Sequence, residues 1–376
     1  MNINKERLIA TFLELVKISS PSKDERKIAD YVKQLFNRSS FIITEDDCGD
    51  KIGGNCGNLI GEVKGTVPES LPLIFVVHLD TVGPCEGTVP LRENGVIRSD
   101  GSTILGADDK AGIASVIELL YIREETGFMK WSDIIIIFTV AEEIGLLGSK
   151  HLDLTRYSHA PVYVLDSVCP VGYITNQAPY GERIKIEVIG KAAHAGVCPE
   201  KGINAFKMCV NALYNIRLGR IDSYTTTNIG TIHGGTAINI VPEQVVLEGE
   251  IRSQDESLLI HERKKLIALF AKEASLLGGE VHVKTERDYN GFCIPKDHLL
   301  ISLAQRAAKK IEKKVTVQKS GGGSDANIFN DKGLEAVVLG VGYENAHSTQ
   351  EQITEENLIL HCKWIYEIAR LNTDRN

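Results

Sequence analysis

The 376-residue chain lacks several features that would assign it to a particular class of protein. Its most apolar run covers residues 134–141, far short of the roughly 20 residues that a membrane-spanning helix needs. Its eight cysteines include no C-x-x-C pair, which argues against both a disulfide framework and a thiolate zinc motif. The N-terminus also lacks the charge and apolar pattern of a secretion signal, so we expect a cytoplasmic protein that does not bind membranes.

An excess of positive charge is absent as well. The formal net charge is -8, which argues against nucleic acid as a partner because such a protein needs a basic face. No G-x-S-x-G motif is present, which excludes the nucleophile turn of serine hydrolases. The composition is 43% hydrophobic and 24% charged, typical of a soluble enzyme, and the length predicts two domains.

Short apolar runs alternate with helical patterns in the first part of the chain. The runs Leu73–Val77, Ile134–Val140 and Val162–Leu165 are typical of strands buried on both faces. Ser22 and Glu25 have the spacing of a capping box ahead of an amphipathic helix. Strands that alternate with helices predict an α/β domain with a largely parallel sheet and helices on both faces.

The pattern changes near residue 177, where apolar and polar residues begin to alternate as in a strand with one solvated face. The order that follows is β-α-β-β-α-β, typical of a small α+β sandwich. We therefore predict a catalytic domain formed by residues 1–176 and 292–376, interrupted by a smaller domain at 177–291. Within this insertion we predict helices near 203–216 and 256–277 and strands near 184–188, 228–233, 245–252 and 281–285.

Polar side chains that suit a metal ion follow each of the three predicted buried strands. His78 and Asp80 follow the first strand, Glu142 and Glu143 the second, and Asp166 the third. Residues two apart in an extended segment point the same way, so Asp80 can orient a metal-bound His78. One of the two glutamates can bind a metal ion while the other accepts a proton. Taken alone, each motif is equally explained as a strand-end loop or a solvated acidic turn.

Two further motifs strengthen the case for a metal site. Asp108 and Asp109 open a predicted helix, where the helix dipole is an alternative explanation for acidic residues. His347 lies far downstream in a polar segment. Because the carboxyl ends of parallel strands meet at one rim, these side chains are expected to converge there. Histidine and carboxylate without thiolate suit catalytic zinc, so the combination predicts a catalytic metal site.

The chain resembles the aminoacylase, carboxypeptidase G and peptidase T family of di-zinc hydrolases. The matching segments occur in the family's order and cover nearly the whole chain. The GADDKAG and GGGSDAN segments are most similar to the peptidase T branch, an aminotripeptidase. The segments are HLDTVG at 78–83, LGADDKAG at 105–112, AEEIGLLGS at 141–149, LDS at 165–167, HAG at 194–196 and GGTAINIVP at 234–242.

The resemblance implies two zinc ions per subunit, although Mn²⁺ or Co²⁺ also suits these ligands. Asp108 would bridge the ions, with a cis peptide bond to Asp109, and a hydroxide between the ions would attack the scissile amide bond. Glu142 would act as general base and then as acid, and Asp80 would orient a histidine ligand. The implied metal ligands are His78, Asp108, Glu143, Asp166 and His347.

The inserted domain would be the family's lid and dimerisation domain, which implies a homodimer. His194 would polarise the scissile carbonyl, in some relatives from the partner subunit. Asn239 and Arg252 would hold the backbone and carboxylate of a small peptide substrate. From the residues alone, simpler interpretations are favoured: His194 as a loop histidine, Asn239 as a turn residue and Arg252 as a solvated charge at a strand end.

The function implied is that of a metallopeptidase, most specifically a tripeptide aminopeptidase. An N-acyl-amino-acid deacylase or a carboxypeptidase of the same family would use the same metal core, and both stay open. A non-catalytic metal-binding or peptide-binding protein is a more remote alternative, because a binding protein has no use for a base such as Glu142.

Overall fold

The computed structural model describes residues 3–37, 41–67, 70–126, 130–157 and 160–373. The chain forms two compact units. The first contains Met1–Gln177, Cys293–Lys319 and Ser324–Asn376, and the second contains Ala178–Phe292 and Ser320–Gly323. The sequence places the insertion at residues 177–291, and the structure adds the short segment Ser320–Gly323 to it. None of the helices within these described ranges has the length and hydrophobicity of a membrane span.

The helices, in chain order, are α1 (Lys5–Val16), α2 (Arg26–Asn37), α3 (Cys48–Ile52), α4 (Ala107–Glu125), α5 (Leu147–His151), α6 (Ala205–Tyr214), α7 (Glu256–Leu277), α8 (Leu299–Lys310), α9 (Asp325–Asp331) and α10 (Glu355–Asn372), with 3-10 turns at Thr155–Tyr157 and Pro199–Lys201. The strands are β1 (Ile42–Glu45), β2 (Leu59–Val63), β3 (Leu73–His78), β4 (Pro90–Glu93), β5 (Val96–Ser99), β6 (Ile134–Thr139), β7 (Val162–Val164), β8 (Tyr173–Ala178), β9 (Tyr180–Ile189), β10 (Gly219–Arg220), β11 (Thr225–Gly234), β12 (Gln244–Ser253), β13 (Glu280–Tyr289), β14 (Phe292–Cys293), β15 (Thr316–Lys319), β16 (Ala336–Leu339), β17 (Tyr343–Glu344) and β18 (Gln352–Thr354).

The first unit is built on a nine-stranded mixed sheet with the order β1-β2-β6-β3-β7-β16-β8-β14, and β15 pairs with β8. The central strands β6, β3, β7 and β16 run parallel to their neighbours in this group. All residues of β3, β6 and β7 are buried, as their apolar sequences predict. The predicted α/β class and largely parallel sheet are therefore confirmed. A separate four-stranded sheet, β17-β18-β5-β4, was not predicted.

Helix α2 packs through the predicted apolar face, formed by the buried residues Ile28, Val32, Leu35 and Phe36. The predicted capping box is wrong. The hydroxyl of Ser22 donates to Asp80 Oδ2 at 2.6 Å, and α2 begins only after Glu25. Glu25 Oε1 accepts from the backbone of Lys23 and of Ala141. Both side chains are engaged by distant segments, and this tertiary use outcompetes the local cap.

The second unit contains a five-stranded sheet with the order β10-β11-β12-β9-β13, in which every pairing is antiparallel. Alternate residues of β9 and β12 form one buried face, which packs with α6 and α7 in a single core. The alternating sequence explains this arrangement, because successive side chains of a strand point to opposite faces. The predicted β-α-β-β-α-β order is confirmed, with the two-residue strand β10 as an addition.

Candidate active site

The site begins at the carboxyl ends of three neighbouring strands of the first unit. His78 is the last residue of β3 and is in register with Thr139, the last residue of β6. Glu142 and Glu143 follow β6, and Asp166 follows β7 on the other side of β3. Parallel strands in register deliver the residues after their ends to the same edge of the sheet.

Two histidines face the carboxylate of Asp108. His78 Nε2 lies 3.0 Å from Asp108 Oδ1, and His347 Nε2 lies 3.4 Å from Asp108 Oδ2. His347 Nε2 is also 3.1 Å from Glu143 Oε1. Ligand atoms of His78, Asp108 and Glu143 all lie within 4.8 Å of one another, the separation expected of a metal-binding group. The structure therefore brings four of the five predicted ligands into direct contact.

The fifth predicted ligand, Asp166, belongs to the same electrostatic cluster. Tyr343 donates a hydrogen bond of 2.9 Å to Asp166 Oδ1. Burial, and then the negative charge of Asp108, raise the pKa of Asp166 to about 8. Burial also raises the pKa of Asp109 well above its ordinary value. Neighbouring carboxyl groups repel each other when they are all ionised. The ionised cluster is therefore stable only with a positive charge beside it.

The ring of His78 is oriented through its second nitrogen. Nδ1 lies 2.8 Å from the backbone oxygen of Asp80 and 3.6 Å from the carboxylate oxygen Oδ1 of the same residue. With Nδ1–H donated to the carbonyl oxygen, a neutral imidazole presents only a lone pair at Nε2, where Asp108 Oδ1 lies. A proton or a cation must separate these two acceptors. Burial opposes a charge on His78, but its hydrogen bonds to Asp108 and Asp80 outweigh burial and raise its pKa.

The donor set fits divalent metal ions. It consists of three carboxylates and two imidazoles, and no lysine or arginine among the described residues forms an ion pair with Asp108, Glu143 or Asp166. Oxygen and imidazole ligands without thiolate match Zn²⁺, Mn²⁺ or Co²⁺. One or two dications would neutralise the carboxylates and relieve the contact between His78 and Asp108.

Glu142 lies in a turn next to this cluster. Its side chain is buried, and burial raises its pKa well above the ordinary value, with a further upward contribution from the charge of Asp166. Its backbone N–H donates to Asp80 Oδ1 at 2.9 Å, and that of Glu143 donates to Asp80 Oδ2 at 3.1 Å. The carboxylate of Asp80 therefore holds the backbone of the two glutamates and also faces the ring of His78, which is hydrogen-bonded to the Asp80 carbonyl oxygen.

A further residue that supports the cluster, Glu351, was not predicted from the sequence. Glu351 is buried, and its carboxylate accepts from Gly106 N at 2.6 Å and from Asp108 N at 3.0 Å. Burial raises the pKa of Glu351 to about 7. Glu351 follows His347 by four positions, and proximity to a candidate ligand was its only signal in the sequence. The peptide bond between Asp108 and Asp109 is cis, as the family resemblance predicts.

The second unit holds the three predicted substrate-contacting residues, His194, Asn239 and Arg252. His194 and Asn239 are brought together: an antiparallel bridge joins His194 to Ile240, and Ala195 N donates to Asn239 O at 2.9 Å. Gly196 N donates to His194 Nδ1 at 3.1 Å, which places the proton of a neutral ring on Nε2. Both side chains are exposed.

Arg252 is not part of this pair. It forms an ion pair of 2.9 Å with Glu250, and no hydrogen bond or ion pair within the described ranges joins it to His194 or Asn239. A side-chain carbon added at Gly322 would lie 3.6 Å from Arg252 Nη1, so the glycine segment 321–323 passes close to the guanidinium group.

The chain is similar to known peptidases over nearly its whole length. The sequence profile of Peptidase family M20/M25/M40 matches residues 74–371, and the chain belongs to this family of peptidases. A tripeptidase from Staphylococcus aureus subsp. aureus Mu50 has the same fold, with a TM-score of 0.95 and 36% identity, covering 99% of this chain and 100% of that one. The aminopeptidase PepT from Bacillus cereus ATCC 10987 superposes with a TM-score of 0.90 and 38% identity, with 99% and 100% coverage. Protein YqjE of Bacillus subtilis (strain 168), described as uncharacterized, is 40% identical over 97% of this chain and 98% of its own length.

Proposed function

We propose that this peptidase is a two-metal aminotripeptidase, which removes the N-terminal residue of tripeptides. The observation that carries the proposal is the contact of Asp108 with both His78 and His347 beside the buried carboxyl of Glu142. The names of two full-length relatives, a tripeptidase and an aminopeptidase PepT, support the choice of substrate. Eight free cysteines support a cytoplasmic location, where thiols stay reduced.

The two oxygens of Asp108 face different histidines, which supports a bridging role for this carboxylate. His78 and Asp166 would complete one metal site, and Glu143 and His347 the other. The ions, zinc in our proposal, would supply Lewis acidity, which lowers the pKa of water and stabilises negative charge on the substrate carbonyl oxygen.

The residues of this chain would move the proton and hold the substrate. Glu142 would take a proton from the attacking water and later deliver it to the leaving amine. His194, with Nε2–H free to donate, would hydrogen-bond to the scissile carbonyl oxygen. Asn239 would bind the peptide backbone, and the planar guanidinium of Arg252 would bind the C-terminal carboxylate.

Substrate choice can be tested with a tripeptide of three different residues. We expect it to be cleaved into its first residue and a dipeptide, with kcat/KM at least about 10-fold higher than for dipeptides or N-acetyl amino acids, because the bound carboxylate fixes the substrate length. Mass spectrometry identifies the products. The same tripeptide with an amidated C-terminus is the matched control and should be cleaved more slowly. Release of the last residue would indicate a carboxypeptidase, and faster cleavage of N-acetyl amino acids a deacylase; either result contradicts the proposal.

We also propose that the second unit dimerises with a copy of itself. Strand β10 pairs only with Thr226 and Thr227 of β11, so within the described residues the outer edge of β11 has no strand partner from Asn228 onward. Such an edge is self-complementary when two copies pair antiparallel about a twofold axis.

An apolar stripe on α6 continues this edge. Phe206, Val210 and Tyr214 lie four residues apart on one helix face and are 36%, 62% and 88% exposed. Phe206 lies against Gly235, directly after β11, since a side-chain carbon added there would be 3.2 Å from its ring. The stripe and the open edge therefore form one continuous surface, and a second copy would cover both.

Subunit complementation tests whether His194 acts across this dimer. Glu142→Ala and His194→Ala subunits should each be inactive. Mixing them and allowing the subunits to exchange should restore roughly a quarter of wild-type activity, since half of the dimers are mixed and each of these has one complete site of two. His282→Ala, which removes an exposed histidine of β13, is the control and should remain active alone. A mixture that stays inactive although mixed dimers form would show that His194 acts within its own subunit.

A further inference from the structure

The turn after β6, which carries Glu142 and Glu143, is held by side chains from other parts of the first unit. Four consecutive backbone N–H groups each donate to a side-chain oxygen, an arrangement that we call the amide clamp. Val140 N donates to Asn58 Oδ1 at 3.1 Å, Ala141 N to Glu25 Oε1 at 2.9 Å, Glu142 N to Asp80 Oδ1 at 2.9 Å and Glu143 N to Asp80 Oδ2 at 3.1 Å.

The conformation of this turn needs such support. Ala141 has a φ of 50°, in the left-handed region that residues with a side chain rarely adopt. Backbone of this kind persists only where the surroundings over-determine it. Because Ala141 directly precedes Glu142, its conformation sets the direction in which both glutamates leave the strand.

The residues that hold the turn are themselves anchored. The segment of residues 18–25 is tied to both of the other acidic motifs of the site. Lys110 Nζ donates to Ile18 O at 2.7 Å, Thr81 N to Ser20 O at 2.9 Å, and Ser22 Oγ to Asp80 Oδ2 at 2.6 Å. The segment therefore connects the Asp80 strand end, the helix that carries Asp108 and the catalytic turn.

The buried carboxyl group of Glu25 lowers the stability of the folded state. Its Oε1 accepts from Lys23 N and from Ala141 N, whereas its buried Oε2 has no hydrogen-bond partner among the described residues. An unpaired buried oxygen is destabilising, so stability alone does not account for a carboxyl group here. Burial, and then the negative charge of Asp80, raise the pKa of Glu25 to about 7. A neutral side chain with a carbonyl oxygen is therefore compatible with this position.

We propose that Glu25 and Ser22 are positioning residues of the active site. Glu25 fixes the backbone of Ala141, and Ser22 fixes the carboxylate of Asp80; together they aim Glu142 at the substrate and Glu143 at the metal. Neither residue touches the reacting atoms. This role rests on the proposed metallopeptidase function, but its effect on Glu143 is also measurable as zinc affinity without any substrate.

The test compares Glu25→Ala with Glu25→Gln. Glu25→Ala should lower kcat at least about 10-fold with little change in KM, and should weaken Zn²⁺ binding about 10- to 100-fold, as loss of a residue that orients a ligand typically does. Glu25→Gln keeps an acceptor at the position of Oε1 and should stay within about 3-fold of the wild type in both measurements. Zinc affinity is measured by competition with a chromophoric chelator on metal-stripped protein.

Glu118→Ala is the matched control. Glu118 is also a buried carboxylate of the first unit, accepts from Asn4 N at 3.0 Å and pairs with Arg7, but it makes no contact with the turn. Its removal should lower Tm while kcat per folded molecule and zinc affinity stay at wild-type values. A loss of stability alone therefore cannot imitate the expected result.

Ser22→Ala provides an independent arm that tests the clamp even where Glu25→Ala fails to fold. It should weaken zinc binding, whereas Ser102→Ala, which removes a 2.6 Å hydroxyl bond to Asp100 on the surface, should not. The proposal would be overturned if Ser22→Ala kept wild-type zinc affinity and kcat. It would also be overturned if Glu25→Gln lost as much kcat and zinc affinity as is expected of Glu25→Ala. If the wild type binds zinc but cleaves no peptide, the proposed function is wrong. The zinc affinities of the variants would still test whether Glu25 and Ser22 position the turn.

Discussion

Glu142→Gln is expected to lower kcat by about 10²–10⁴-fold, the usual contribution of a positioned general base, with metal content near that of the wild type. Glutamine has nearly the shape of glutamate but cannot accept the proton of the attacking water. The backbone N–H of residue 142 would still donate to Asp80, so the turn should keep its conformation. Steady-state kinetics and atomic emission on the same preparation measure both quantities.

Glu143→Ala is the comparison that distinguishes a general base from a metal ligand. Glu143 Oε1 lies 3.1 Å from His347 Nε2, whereas Glu142 is assigned no metal. We therefore expect Glu143→Ala to lose bound metal together with activity. Equal metal loss in Glu142→Gln and Glu143→Ala would show that the roles of the two glutamates have been assigned wrongly.

The elements nearest to the site could be predicted because they follow from one strong signal. Strands β3, β6 and β7 are almost entirely apolar, which is typical of strands in a sheet covered on both faces. The residues at their ends are then fixed to one edge by parallel pairing. The sequence therefore predicts that His78, Glu143 and Asp166 lie at one rim of the sheet.

The support of the site could not be predicted, because it depends on contacts between distant segments. Glu25 is separated from Ala141 by 116 positions, and its sequence neighbourhood imitates a helix cap. Glu351 is bonded to Gly106, 245 positions away, with no local pattern of its own. Carboxylates that accept backbone N–H groups carry no periodicity, so their partners appear only in the folded chain.

The small antiparallel sheet of the first unit was not predicted, for a different reason. Strands β4, β5, β17 and β18 have only two to four residues each. Runs this short do not establish the alternation that distinguishes a strand from a loop. In the second unit, by contrast, β9, β12 and β13 each have ten residues, and their alternation was readable.

Removal of metal should abolish activity completely, and added Zn²⁺, Mn²⁺ or Co²⁺ should restore it. The stripped protein would be left with the facing pair His78 and Asp108, and with Asp166 beside the same carboxylate. Without metal, bound protons must neutralise the negative charge of these carboxylates. Metal should therefore rebind less well as the pH falls, because protons compete for the same ligands. Dialysis against a strong chelator, followed by titration with each ion, measures the loss and the recovery.

The metal should also stabilise the fold, since it binds the native site and not the unfolded chain. At a free concentration about 100-fold above Kd the gain is about 2.7 kcal/mol, visible as a rise in Tm. Mg²⁺ is the control ion, and it should neither restore activity nor raise Tm to this extent, because it prefers oxygen ligands and this site contains two imidazoles. Recovery should be complete at two ions per chain. Activity that survives in metal-free protein would refute the catalytic role of the cluster, and full recovery at one ion per chain would refute the bridging role of Asp108.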